Sequence, residues 1–204
     1  MRRPPLFATL VVLLAVAAMI GLGLWQLQRL AWKEGLLARY TAGAGITAPI
    51  VVSGATLPAT AAYRHVLWDC PVAGADQVVG GRNVNGQSGW AHVVLCSHRS
   101  GTVDTIVPVV IGWSVAVAPV QWAGGNLTGV AVPGIKTGVV LPAAGGAFHN
   151  LDWHVVADPP LAGLVANARP DPREIANNHL SYAIQWFFFA CTALIIYLLA
   201  LRRR

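Results

Sequence analysis

The stretch LFATLVVLLAVAAMIGLGLWQL, Leu6–Leu27, runs for 22 residues without a charge. At ~1.5 Å of rise per residue it makes about 33 Å of helix, enough for a bilayer core of roughly 30 Å. A second stretch, HLSYAIQWFFFACTALIIYLLAL, His179–Leu201, holds 23 residues without Asp, Glu, Lys or Arg and stops against Arg202, Arg203 and Arg204. Arg2, Arg3 and the small residues Ala15-Val16-Ala17 also suit a cleaved signal peptide. The apolar core of such peptides runs about 7–15 residues, however, and this one continues to Trp25, so it reads as a retained anchor. The chain therefore reads as an integral membrane protein whose two transmembrane helices frame one domain.

Composition agrees. Of 204 residues, 55% are hydrophobic and 11% charged, against about 45–50% and 25% in soluble domains. This excludes an ordinary soluble enzyme. The net charge of +6 is also uneven. Residues 28–178 carry nine basic and eight acidic groups, and the other five charges are Arg2, Arg3, Arg202, Arg203 and Arg204. No basic patch of the kind that binds nucleic acid remains.

The inner flanks of the spans also carry five basic residues, Arg29, Lys33, Arg39, Arg169 and Arg173. Charge density decides, because Arg202–Arg204 abut a span and long loops cross regardless of charge. Both termini are thus expected in the cytoplasm (or matrix), and the middle outside it. Trp25, Tyr182 and Trp186 suit the outer interface, and Tyr197 the inner one.

The expected organisation is residues 1–5 as a cytoplasmic N-terminus, 6–27 as the first span, 28–178 as the outer domain, 179–201 as the second span and 202–204 as a cytoplasmic tail. Within the outer domain, 28–41 has helix formers and extends the first span. Residues 46–156 alternate Gly/Pro punctuation with β-branched runs at 50–52, 63–68, 91–96, 102–111 and 138–141, the pattern of a largely antiparallel β domain. Residues 160–178 read as a helical return, with a short helix at 160–168 and a helix start at Asp171, Pro172 and Glu174. The fold class is thus α+β, with a β-rich extracytoplasmic domain.

Cys191 reads as a packing residue in the second span. Cys70 and Cys96 fall in the outer domain, where an oxidising compartment permits a disulfide, and the sequence leaves open whether they meet. His92, Cys96 and His98 share one face of a strand over 91–98, a donor set that copper or zinc accepts. The set is thin, and a half-buried strand is the simpler reading. Gly86-Gln87-Ser88-Gly89 is not a nucleophile elbow, and no nucleophile–base pair is visible, so no enzyme activity is expected.

His179 is the sharpest feature, because an ionisable group at membrane depth is by default a functional candidate. Neutral imidazole is a common haem-iron ligand. The alternative is a headgroup-level histidine bonded to lipid or to Asn178. Tyr182 and Trp186 lie on or near its helix face. Trp25, Arg29 and Trp32, with Gly21, form a stripe on the first helix. There Arg29 either pairs with a carboxylate or snorkels to the interface.

Two motifs resemble a known family. Gly23-Leu24-Trp25-Gln26-Leu27-Gln28-Arg29-Leu30-Ala31-Trp32-Lys33 resembles the first-span signature of Surfeit locus protein 1, and Asn177-Asn178-His179-Leu180-Ser181-Tyr182-Ala183-Ile184-Gln185-Trp186-Phe187 its second. Between them, Tyr63-Arg64-His65-Val66 resembles the first outer strand. Ile111-Gly112-Trp113 stands where that family has Arg-Gly-Trp, so the arginine is missing here. The resemblance implies an assembly factor, not an enzyme, for haem-copper cytochrome c oxidase, in a bacterial cell inner membrane (mitochondrial inner membrane if eukaryotic). It implies transient binding of haem a and delivery to the oxidase catalytic subunit, with haem a synthase allowed as a further partner besides the lipid bilayer. The residues carried over are His179 as the iron ligand and Trp25, Arg29, Trp32, Tyr182 and Trp186 around the haem. The alternative is a haem-free scaffold for oxidase assembly.

Overall fold

The computed structural model describes residues 5–54, 56–100, 103–134, 138–139 and 153–203. Arg2, Arg3, Arg204 and residues 140–141 of the expected 138–141 run lie outside them. The chain divides into two compact units, Met1–Ala38 with Glu174–Arg204, and Arg39–Arg173.

Two helices, α1 (Leu6–Ala44) and α2 (His179–Arg202), are long and apolar enough to cross a membrane. The extension of the first helix beyond Leu27 is as expected and runs to Ala44. In the first unit the helices pair antiparallel. Between residues 6 and 35 the side chains that are not fully exposed are Thr9, Val12, Val16, Met19, Gly23, Gln26, Leu30 and Lys33. Their spacing alternates three and four, the 3.5-residue period of a left-handed helix pair. On α2 the matching positions include His179, Ala183, Trp186, Ala190, Ala193 and Tyr197. Gly23 leaves room for the Phe187 ring, because a Cβ there would stand 2.5 Å from Phe187 Cε1. Thr9 and Tyr197 hydroxyls bond at one end of the seam, and Lys33 Nζ donates to Ala176 O near the other.

Among the described residues the second unit is one eight-stranded sheet: β1 (Ile50–Val51), β2 (His65–Cys70), β3 (Val72–Ala73), β4 (Gln77–Arg82), β5 (Ser88–Ser100), β6 (Val103–Ser114), β7 (Gly125–Pro133) and β8 (Trp153–Ala157). The order is β1-β2-β7-β8-β6-β5-β3, with β4 on another part of β5. Pairing is antiparallel except for β1 with β2 and β6 with β8. Four steps across the sheet separate β2 from β5, which in a flat sheet is about 19 Å. Yet Cys70 on β2 and Cys96 on β5 are 5.3 Å apart at Cα and form a disulfide. The sheet is therefore curled, and the bridge crosses its interior. Both sulfurs sit in the core with Val66, Trp68, Val94, Val107, Val109, Ile111, Leu127, Ala131, Trp153 and Val155.

Two expectations need correction. Residues 160–178 do not form a helical return. Ala162 and Gly163 have φ of 51° and 72°, Val165 and Asn167 instead bridge to Trp113 and Asn83, and only a single 3-10 turn forms at Pro172–Glu174. Asp171 does accept the Arg173 backbone N–H at 2.9 Å, but α2 begins at His179. Tyr63 is outside β2, because its φ of 60° turns the chain before the strand.

Candidate functional site

His179 is the first residue of α2 and faces α1 across the seam. Its Nδ1–H donates to Gln26 Oε1 at 2.7 Å. A carboxamide oxygen only accepts, so this bond puts the ring proton on Nδ1 and the lone pair on Nε2. Among the described residues no partner takes Nε2. The imidazole is half-buried, so this nitrogen is available to an incoming metal centre. Asn178, the expected alternative partner, caps α2 by position without a side-chain capping bond.

Arg29 and Trp32 are brought together. The guanidinium carbon sits 3.9 Å above the Trp32 ring centroid. Such stacking engages the π face and leaves the in-plane N–H groups to meet a carboxylate. Trp25 and Trp32 are about half exposed, at 54% and 50%, and Tyr182 is 51% exposed. Trp186 is partly covered and meets Phe189 edge-on at 6.2 Å. Gly21, on the expected stripe, faces open space, where a Cβ would meet nothing within 4 Å. The stripe is thus not the packing face of α1, which Gly23, Gln26, Leu30 and Lys33 occupy. At ~100° per residue, Trp25, Arg29 and Trp32 stand about 60–120° to one side of Gln26. Tyr182, Gln185 and Phe189 stand about 60–120° to the same rotational side of His179. Because the helices are antiparallel, both sets flank the seam on the same side of the pair. On α2, Tyr182, Gln185 and Phe189 help line an open depression of about 590 Å³ with Asn178, Ser181 and Phe188.

The family of the chain follows from a match along most of its length. The SURF1 family model covers residues 13–191. The chain belongs to the SURF1 family. No curated protein matches the chain. SURF1 proteins are assembly factors for cytochrome c oxidase, not a known enzyme family, and the match includes the His179–Gln26 pair and the whole sheet.

The strand histidines of this SURF1 domain do not assemble a metal centre. Cys96 is spent in the disulfide, and His98 Nε2–H donates to Asp69 O at 2.6 Å. No group of three potential ligands exists among the described residues. A β-bulge lies beside His92, with Ile111 the extra residue of β6 opposite the His92/Val93 step.

His92 instead joins a constellation that sequence reasoning missed. It is fully buried, with Nδ1 2.6 Å from Asp76 Oδ2 and Nε2 2.8 Å from Ser114 Oγ. The residues lie 16 and 22 positions apart in the chain, so only the pairing of β5 with both β4 and β6 reveals them. The order resembles a nucleophile, base and orienting acid. The proton positions argue against that chemistry. Ser114 Oγ–H is donated to Ala116 O at 2.5 Å, so Ser114 accepts from His92 instead of giving it a proton. Asp76 Oδ2 also accepts the Val120 N–H at 2.9 Å. The three side chains pin the segment 116–120 to β5 and β6.

Proposed function

We propose that this SURF1 protein binds haem a at the His179 end of its helix pair and hands it to the catalytic subunit of cytochrome c oxidase. One observation carries the reading: a half-buried imidazole at the start of an apolar, membrane-length helix, whose Nδ1 is engaged by Gln26 and whose Nε2 is not. The surrounding residues suit the cargo. Haem a is large and apolar, with propionates at one edge, and the flank beside His179 offers Trp25 and Tyr182 as apolar faces, with Trp186 on the adjoining seam. Arg29, seated over the Trp32 ring, supplies N–H groups to propionates. A single histidine ligand suits a carrier, which has to release what it binds.

The β-rich unit is assigned to the periplasmic side of a bacterial inner membrane, with both termini cytoplasmic. The Cys70–Cys96 disulfide supports this, because such bonds persist in oxidising compartments. Haem a synthase is the natural donor of the cargo.

The test is an absorbance spectrum of the full-length protein purified from cells that make haem a, beside His179→Ala. The wild type is expected to carry haem a and the variant to lose it. Equal haem in both removes His179 as ligand. No haem in either, with the oxidase subunit still co-purifying, leaves a haem-free scaffold.

A further inference from the structure

We propose that Gln26 is the positioning residue for His179, fixing the tautomer that presents Nε2 to the iron. The inference rests on the haem reading for its purpose but not for its geometry.

A neutral imidazole carries one proton, which either nitrogen can hold. Only the nitrogen without it can ligate a metal. In the seam, the carboxamide oxygen of Gln26 stands 2.7 Å from Nδ1 and cannot donate, so the proton stays on Nδ1. Metal-binding histidines generally have their second nitrogen anchored in this way, and losing the anchor typically costs ~10–100-fold in metal affinity. The setting strengthens the case. Gln26 sits among apolar residues, between Trp25 and Leu27 in a 22-residue uncharged run, where a polar side chain without a partner is costly. Gln26 also lies at a seam position of the 3.5-residue pattern, between Gly23 and Leu30, so the helix pairing itself delivers the oxygen to His179.

The inference is tested on the full-length protein in lipid nanodiscs, free of haem, with ¹⁵N-labelled histidine at a pH where the imidazole is neutral. The His179 resonances are expected to show a protonated Nδ1 and an unprotonated Nε2. Gln26→Leu is expected to lose this preference, and Gln26→Glu, which keeps an accepting oxygen, to retain it. A wild-type ring protonated at Nε2, or a spectrum unmoved by Gln26→Leu, overturns the proposal. Titration with haem a then reads the consequence. Gln26→Leu is expected to bind about 10–100-fold more weakly than wild type, with Gln26→Glu restoring most of the affinity. Haem affinity unchanged by Gln26→Leu likewise overturns it. If His179→Ala binds haem like the wild type, the haem reading fails instead, and the nitrogen spectra still decide the role of Gln26.

Discussion

Replacing Cys70 and Cys96 together by alanine removes the covalent tie across the curled sheet. The bridge joins residues 26 apart. Closing a loop of that length removes about 12 cal/mol/K of entropy from the unfolded chain, or about 3.5 kcal/mol at 25 °C. Against a total stability of ~5–15 kcal/mol this is a large share. Spread over the β-rich unit, Arg39–Arg173, with ~2.1 cal/mol/K of unfolding entropy per residue, it lowers the melting temperature by roughly 12 °C. Alanine is the right replacement, because both positions are fully buried and serine would add an unpaired hydroxyl. The assay is thermal unfolding of the full-length protein in detergent, followed by tryptophan fluorescence, since Trp68, Trp113 and Trp153 are at most 3% exposed. Wild-type protein treated with reductant should melt where the double variant does. Thiol titration in denaturant should find one free thiol without reductant, from Cys191, and three with it. A melting shift below ~3 °C, or three free thiols in the untreated protein, would refute the reasoning.

Gly23→Val is expected to loosen the helix pair, because the new Cβ meets the Phe187 ring at 2.5 Å. Overpacking of this kind costs ~1–3 kcal/mol, and cross-linking between cysteines placed at positions 9 and 197 should fall with it. His92→Leu is expected to destabilise the β-rich unit by ~1–3 kcal/mol or more by leaving buried Asp76 with only the Val120 N–H as donor, measured by chemical denaturation. The Arg173 side chain and backbone N–H hold the Asp171 carboxyl below its ordinary range. The pair is therefore fully present above the unfolded carboxylate value near ~4 and is lost as pH falls through the lowered one. Arg173→Gln should bring the Asp171 carboxyl back up towards that ordinary value in a ¹³C NMR titration.

The two helices were legible because an uncharged apolar run of about 20 residues matches the thickness of a bilayer core, and soluble helices rarely go so long without a charge. The extension to Ala44 was legible for a related reason, since residues 28–41 lack breakers except Gly35. Strands fared unevenly. β5 and β6 announce themselves by β-branched runs. β4 carries Gly80-Gly81, and β7 starts at a glycine and ends at a proline, so local propensity argues against strands that their neighbours nonetheless impose. β8 lies between β7 and β6 and is too short to read alone. The false helix at 160–168 has the opposite cause, an Ala- and Leu-rich segment whose backbone is captured by bridges to Trp113 and Asn83. At the candidate site, His179 stood out because imidazole is rare in an apolar run. Gln26 did not, because an amide carries no charge. Its 3.5-residue spacing from Gly23 and Leu30 was the signal, and it acquires meaning only once the partner helix is placed.

The buried trio of Asp76, His92 and Ser114 has a consequence for how this domain can vary over evolutionary time. Each member satisfies another, and Val120 and Ala116 depend on them in turn. Changing any one strands a polar atom in the interior, whereas exchanging all three for apolar side chains of similar volume removes those atoms together and leaves only the Val120 N–H and Ala116 O to be met by solvent. The positions are therefore epistatic. A lineage can cross between the polar and the apolar solution only through less stable intermediates, and once settled on either it is held there by its own neighbours.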